Sequence, residues 1–165
     1  MDETANVQKD AVTLMMELCH STFGDKVKAY YEGDPIDIPK DNFPAIILYK
    51  LSGSVDLGAT MTDEFYETIN ISLVLNKADE IGASPETDLS ERKLRRMVEA
   101  RATDGTYMPG TLLYGLRTFY TQGGRILKSD VRVEYDILPL DSQYIRSQAN
   151  VTVTIRQRVF VTNRT

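Results

Sequence analysis

The sequence predicts an α+β fold: a single domain over residues 1–165 with a largely antiparallel four-stranded sheet and helices packed on one of its faces. Three observations carry that expectation. Several stretches alternate apolar and polar residues with a period of two, the mark of a strand with one core face and one wet face. One run, Pro44-Ala45-Ile46-Ile47-Leu48-Tyr49-Lys50-Leu51, is apolar almost throughout, too short and too β-branched for a helix, and so predicts a strand buried on both faces. Other stretches place apolar residues at helical spacing between good start and stop signals.

In chain order, the first element is a helix near 5–22. Thr4 is placed to cap it, Val7, Ala11, Leu14, Met15 and Leu18 form one stripe, and Gly24 ends it. Residues 25–42 hold Pro35, Pro39 and several acids and predict an extended arm, in which Tyr30 and Tyr31 either pack the arm down or mark a binding patch. Strands follow near 44–51 and 64–76. In the second, Phe65, Ile69, Ile71, Leu73 and Leu75 share the core parity, and Tyr66, Thr68, Asn70, Ser72 and Asn76 the wet one. Between them, Ser52 to Thr62 reads as a loop longer than a tight hairpin needs.

A helix near 89–103 follows the capping box Asp88-Leu89-Ser90-Glu91, with Leu94, Met97, Val98 and Arg101 toward its inner side and Gly105 as its stop. Another, near 111–122, sets Leu112, Leu113, Leu116, Phe119 and Tyr120 at helical spacing before Gly123-Gly124. Two strands close the chain. Near 129–138, Val131, Val133, Tyr135 and Ile137 alternate with Arg132, Glu134 and Asp136. Near 149–162, Val151, Val153, Ile155, Val159 and Val161 alternate with Thr152, Thr154, Arg156, Arg158 and Thr162. The last strand exceeds the usual five or six residues, so its end is expected to project with open backbone groups.

Composition narrows the function. One cysteine excludes an internal disulfide, the first twenty residues lack a signal-like apolar core, and no apolar run reaches membrane-spanning length, so the expectation is a soluble, intracellular protein. With 24 acidic against 19 basic side chains the net charge is −5, which argues against a phosphate-gripping surface as the main business of the chain. There is no glycine-rich phosphate loop, metal-ligand spacing or nucleophile elbow, and the expectation is a non-enzyme. Cys19 and His20 are adjacent, so on a helix they point about 100° apart and form no dyad. The carboxylates Asp63, Glu64, Glu67, Asp79, Glu80 and Glu86 all fall in loops or on wet parity.

What remains are candidate interfaces. Arg92, Lys93, Arg95 and Arg96 form a cationic helix face, either a solvated surface or a contact for acidic loops of a neighbouring subunit. Val55, Leu57 and Met61 have no evident place in the core and make the 52–62 loop a docking candidate. On the final strand, Arg156, Arg158 and Phe160 belong to an end expected to meet another chain, with the arginines discouraging indiscriminate stacking.

An amphipathic helix, an acidic arm, the Asn42-Phe43-Pro44-Ala45-Ile46-Ile47 entry into a buried strand, a long loop, a strand ending Leu73-Val74-Leu75, a central helix and two closing strands: this succession resembles the tail terminator (tail completion) proteins of long-tailed bacteriophages. The likeness covers most of the chain in order of elements, and its Phe-Pro-Ala-Ile segment is a packing feature. It implies a structural virion protein with no cofactor and no catalytic residue. Such proteins assemble in the host cytoplasm as a hexameric ring at the head-proximal end of the tail tube, stop its polymerisation and meet the tail tube protein and a neck or head-completion protein. DNA passes through the channel without specific binding, and no membrane is involved. The alternatives are a head-to-tail adaptor or the tube protein itself and, from another class, a small α+β hydrolase or ligand-binding domain.

Overall fold

The computed structural model describes residues 8–76, 90–119, 126–138 and 146–161. Helix α1 runs Ala11–Phe23 and buries Ala11, Leu14, Met15, Leu18, Cys19 and Phe23, the 3.6-residue stripe expected of it. It starts later than residue 5. Asp10 is extended and its side chain accepts a hydrogen bond from the Thr13 N–H at 2.7 Å, which satisfies a first-turn donor and ends the helix there. Thr4 and Val7 lie outside the described residues. At the other end Gly24, at φ 51°, donates its N–H to the His20 carbonyl.

The sheet has five strands, not four, in the order β1-β2-β3-β5-β4: β1 Ala29–Glu32, β2 Ala45–Leu57, β3 Thr62–Asn76, β4 Ile126–Leu138 and β5 Arg146–Phe160. All pairings are antiparallel except β1 with β2, which run parallel from Ala29↔Ala45 to Glu32↔Leu48. The added strand comes out of the predicted arm. Its four residues are too few to display a period, and Pro35 and Pro39 mask it. The connection from β1 to β2 carries no α-helix; it crosses the sheet as an irregular segment that buries Ile38 against Ala45, Ile47 and Val74. On the opposite face Ile46 and Leu48 join Ile69, Ile71, Leu73, Val151, Val153 and Ile155 beneath the helices. The strand predicted to be buried on both faces is buried so from Ala45 to Leu48.

Two expectations about the strands fail. Ser52 to Thr62 is not a long loop: β2 continues to Leu57, a turn occupies 58–61, and Val55↔Phe65 and Leu57↔Asp63 pair across it, with a bulge between Lys50 and Ser52. Nor does β5 project from the sheet as expected: only Arg158 to Phe160 run past β4, and they stay paired with β3. It pairs with β3 along its whole length, Arg146↔Asn76 to Phe160↔Thr62, and with β4 from Arg146 to Gln157. It lies inside the sheet, between β3 and β4.

The helix predicted at 89–103 is α2, Ser90–Glu99, burying Leu94 and Val98. It stops early because Ala100 to Met108 close a hydrogen-bonded loop, with Ala102 N–H to Thr106 O and Met108 N–H to Ala100 O at 2.8 and 2.9 Å, and Gly105 turning at φ 87°. Arg101 therefore leaves the helix and is exposed, bridging to Tyr107. Helix α3, Leu112–Thr118, is capped by the Thr111 hydroxyl, which accepts from the Tyr114 N–H. Tyr120, Gly123 and Gly124 lie outside the described residues.

The second sheet face is less wet than its parity suggests. Asn70, Ser72 and Asn76 are buried, on the face where Val74 packs against Ile38. Asn70 Nδ2 donates to Ser72 Oγ at 2.7 Å, Ser72 Oγ to Asn150 Oδ1 at 2.6 Å, and Asn150 Nδ2 to Asp136 Oδ2 at 2.8 Å. The ladder supplies the partners that buried polar groups require.

Candidate assembly interface

Beyond the buried half of the sheet, β2, β3 and the end of β5 continue as an arm whose β2 edge is open. Residues 51–57 of β2 are all exposed. The helix layer reaches its limit at Gln157, whose side-chain amide donates to the Lys9 carbonyl at 3.1 Å. Two residues further along the strands stand Leu57, Asp63 and Val159. Leu57 is 82% exposed, Met61 54% and Val55 43%, so the docking candidates are displayed as expected, on a paired hairpin instead of a loop. From Tyr49 to Leu57 the outer edge of β2 carries no strand among the described residues, because β1 ends opposite Leu48. Unpaired strand edges are templates for another chain.

The arm is stiffened from its other face. Glu64 accepts hydrogen bonds from the Arg156 guanidinium, from the Tyr66 hydroxyl at 3.0 Å and from Arg158 at 3.2 Å. Those bonds, the Arg156 one foremost, hold its carboxyl down to about 2, well below the ordinary 4.5. The Tyr66 hydroxyl is pushed up in turn by its bond to the carboxylate. Lys50 and Glu67 pair across the hairpin at 2.8 Å. At the tip a hollow of about 480 Å³ lies between Asp56, Thr60, Thr62, Glu64, Arg158 and Phe160. Gly58 makes the turn there; a Cβ on it would sit 2.0 Å from the Thr62 carbonyl oxygen.

Of the interface residues read from the sequence, Val55, Leu57, Met61, Arg156, Arg158 and Phe160 come together on this arm, while Arg92, Arg95 and Arg96 stay apart on α2. Glu99, at the end of α2, accepts from the Tyr135 hydroxyl at 2.9 Å, and Tyr135 is registered with Ala149, nine residues or about 30 Å along β5 from Arg158. Burial and that bond push the Tyr135 phenol up. Arg92, Arg95, Arg96, Glu99, Ala100 and Arg101 surround a second hollow, of about 410 Å³. Arg95 pairs with Glu91 at 2.6 Å.

Sequence reasoning missed two participants. Glu64 reads from the sequence only as one of several carboxylates at a strand entrance, and nothing local shows that it lies opposite Arg158 on β5. Arg101 was turned inward by extending α2 too far. The residues considered for chemistry are occupied otherwise: Cys19 is fully buried, its thiol pushed up to about 12, and His20 stacks on Tyr30 at 3.8 Å. Tyr30 donates to the Gly24 carbonyl and Tyr31 accepts from Asn42, so the tyrosine pair fastens the β1 region to the body. Asp79, Glu80 and Glu86 lie outside the described residues. Among the described residues no helix is long and apolar enough to cross a membrane. Comparison with protein-family models and with curated proteins yields no match.

Proposed function

We propose that the chain is a structural virion protein, a tail terminator that closes into a ring at the head-proximal end of a phage tail tube. The observation that carries this reading is the stiffened arm: apolar side chains held in water on a paired hairpin with an open edge fit a surface awaiting another protein. A ring subunit needs two different surfaces that meet head to tail. The arm and the arginine-lined hollow on α2 are two such surfaces, separated along the sheet. The net charge of −5 suits a channel through which DNA slides without sticking. A head-to-tail adaptor or tube protein would use the arm in the same way.

The experiment is light scattering on the purified chain, followed by negative-stain electron microscopy. Closed rings, six-membered on the tail terminator reading, are the expected outcome. Rings that leave tube length unchanged when added to polymerising tube protein favour the adaptor, and a monomer at every concentration overturns the assembly reading.

A further inference from the structure

We propose that the hollow at the tip of the arm receives the 100–108 loop of a second copy of this chain, with Arg101 brought to Asp56. The inference rests on the ring reading and names the contact that would close it.

Asp56 ends an unbalanced row of charges. It lies opposite Glu64, and Glu64 lies opposite Arg158, so the three form one line across β2, β3 and β5. Glu64 is already bonded by Arg156, Arg158 and Tyr66. Asp56 stands beside that like charge, an unfavourable arrangement for directly opposed strand residues. Lys50, the cation of β2, is paired with Glu67, and among the described residues Asp56 has no ion pair of its own. A cation arriving at the open β2 edge would complete the row through charge-assisted hydrogen bonds. The hollow of about 480 Å³ opens at this place, and the exposed Phe160 gives it an apolar wall.

The loop after α2 has the complementary form. Arg101, Tyr107 and Met108 are all exposed, and Arg101 is bridged to Tyr107 across the loop. Among the described residues Arg101 has no ion pair. Tyr, Met and Arg are side chains enriched where proteins meet. These three are also firmly held. Besides the two backbone bonds that close the loop, the Gly105 N–H donates to the Ala102 carbonyl at 2.9 Å, and the Thr106 N–H and hydroxyl both donate to Asp104 Oδ1, at 3.0 and 2.7 Å. A pre-ordered loop loses little freedom on docking.

Placement makes the partner another copy. The loop begins one residue after Glu99, which is bonded to Tyr135 opposite Ala149. Asp56 stands in the row of Arg158, nine residues or about 30 Å further along β5. The two residues from Glu99 to Arg101 span at most about 7 Å, so Arg101 sits far from the Asp56 of its own chain. Loop and hollow thus lie apart along the strands of one subunit, as a head-to-tail contact requires.

The test uses two full-length variants, Asp56→Lys on the arm and Arg101→Glu on the loop, followed by sedimentation velocity at low salt. Each variant alone should self-associate at least about tenfold more weakly than wild type, with an unchanged far-ultraviolet circular dichroism spectrum. Mixed in equal amounts they should recover assembly, since the reversed hollow of one meets the reversed loop of the other and the remaining contacts are native. Tyr107→Ser/Met108→Ser should weaken assembly by about tenfold with both charges in place. Variants that assemble like wild type, or a mixture that fails to recover, overturn the contact while leaving the ring reading intact. Recovery of open chains in place of rings keeps the contact and overturns the ring, and a wild-type chain that stays monomeric overturns both.

Discussion

Glu64 on β3 and Arg156 on β5 are diagonal neighbours across the strand pair, and their hydrogen bond ties the exposed end of the sheet together. Arg158, directly opposite Glu64, adds a second guanidinium at 3.2 Å, and the Arg156 guanidinium carbon also stands 5.9 Å from the Tyr66 ring centroid. This clamp ties β3 to β5 behind a β2 strand that is exposed from Leu51 to Leu57.

The clamp predicts an acid response. The folded Glu64 carboxyl is held at about 2 against an ordinary 4.5, so its stabilising effect is fully present above about 4.5 and is lost as pH falls from there toward 2. Because the group is solvated, the effect belongs to the arm more than to the whole fold. Side-chain NMR should find Glu64 titrating near 2, and in Glu64→Gln the amide exchange of residues 53–66 should already be faster at neutral pH. A Glu64 midpoint above 4 would remove the clamp.

Ser72 tests the buried ladder. It accepts from Asn70 and donates to Asn150, so Ser72→Ala strips a partner from each at a position only 5% exposed. The expected loss is about 1–3 kcal/mol in urea unfolding, from stranded polar groups more than from one missing bond. A change within experimental error would mean that solvent replaces the hydroxyl freely.

Val55→Asp and Leu57→Asp alter side chains that contribute little to the core, so unfolding should shift by less than about 0.5 kcal/mol. Assembly measured by light scattering should nevertheless fall for both. Normal assembly by the double variant would take the apolar side of the arm out of the interface.

Gly58→Ala forces a Cβ to 2.0 Å from the Thr62 carbonyl oxygen, a backbone atom that cannot rotate away. The turn should open, with amide protection lost at 55–65 and retained in β3 beyond Ile69. Uniform protection along β3 would show that the turn has room.

Periodicity alone determined much of this protein. The stripe of α1, the core parity of β3 from Ile69 to Leu75 and the doubly buried run from Ala45 to Leu48 are local patterns, because burial on a helix or strand face repeats at a fixed spacing. The arm had a weaker signal, Ser54-Val55-Asp56-Leu57 alternating opposite Asp63-Glu64-Phe65-Tyr66. With both faces of β2 in water, nothing in composition separates such a hairpin from a polar loop. Strand order, the parallel seat of β1, the interior position of β5 and the gathering of Glu64 with Arg156 and Arg158 were decided by tertiary structure alone. Each depends on which distant segments lie side by side, and a strand's hydrogen-bonding edges, unlike its faces, are made of the same backbone groups at every position, so the side-chain pattern carries no mark of them.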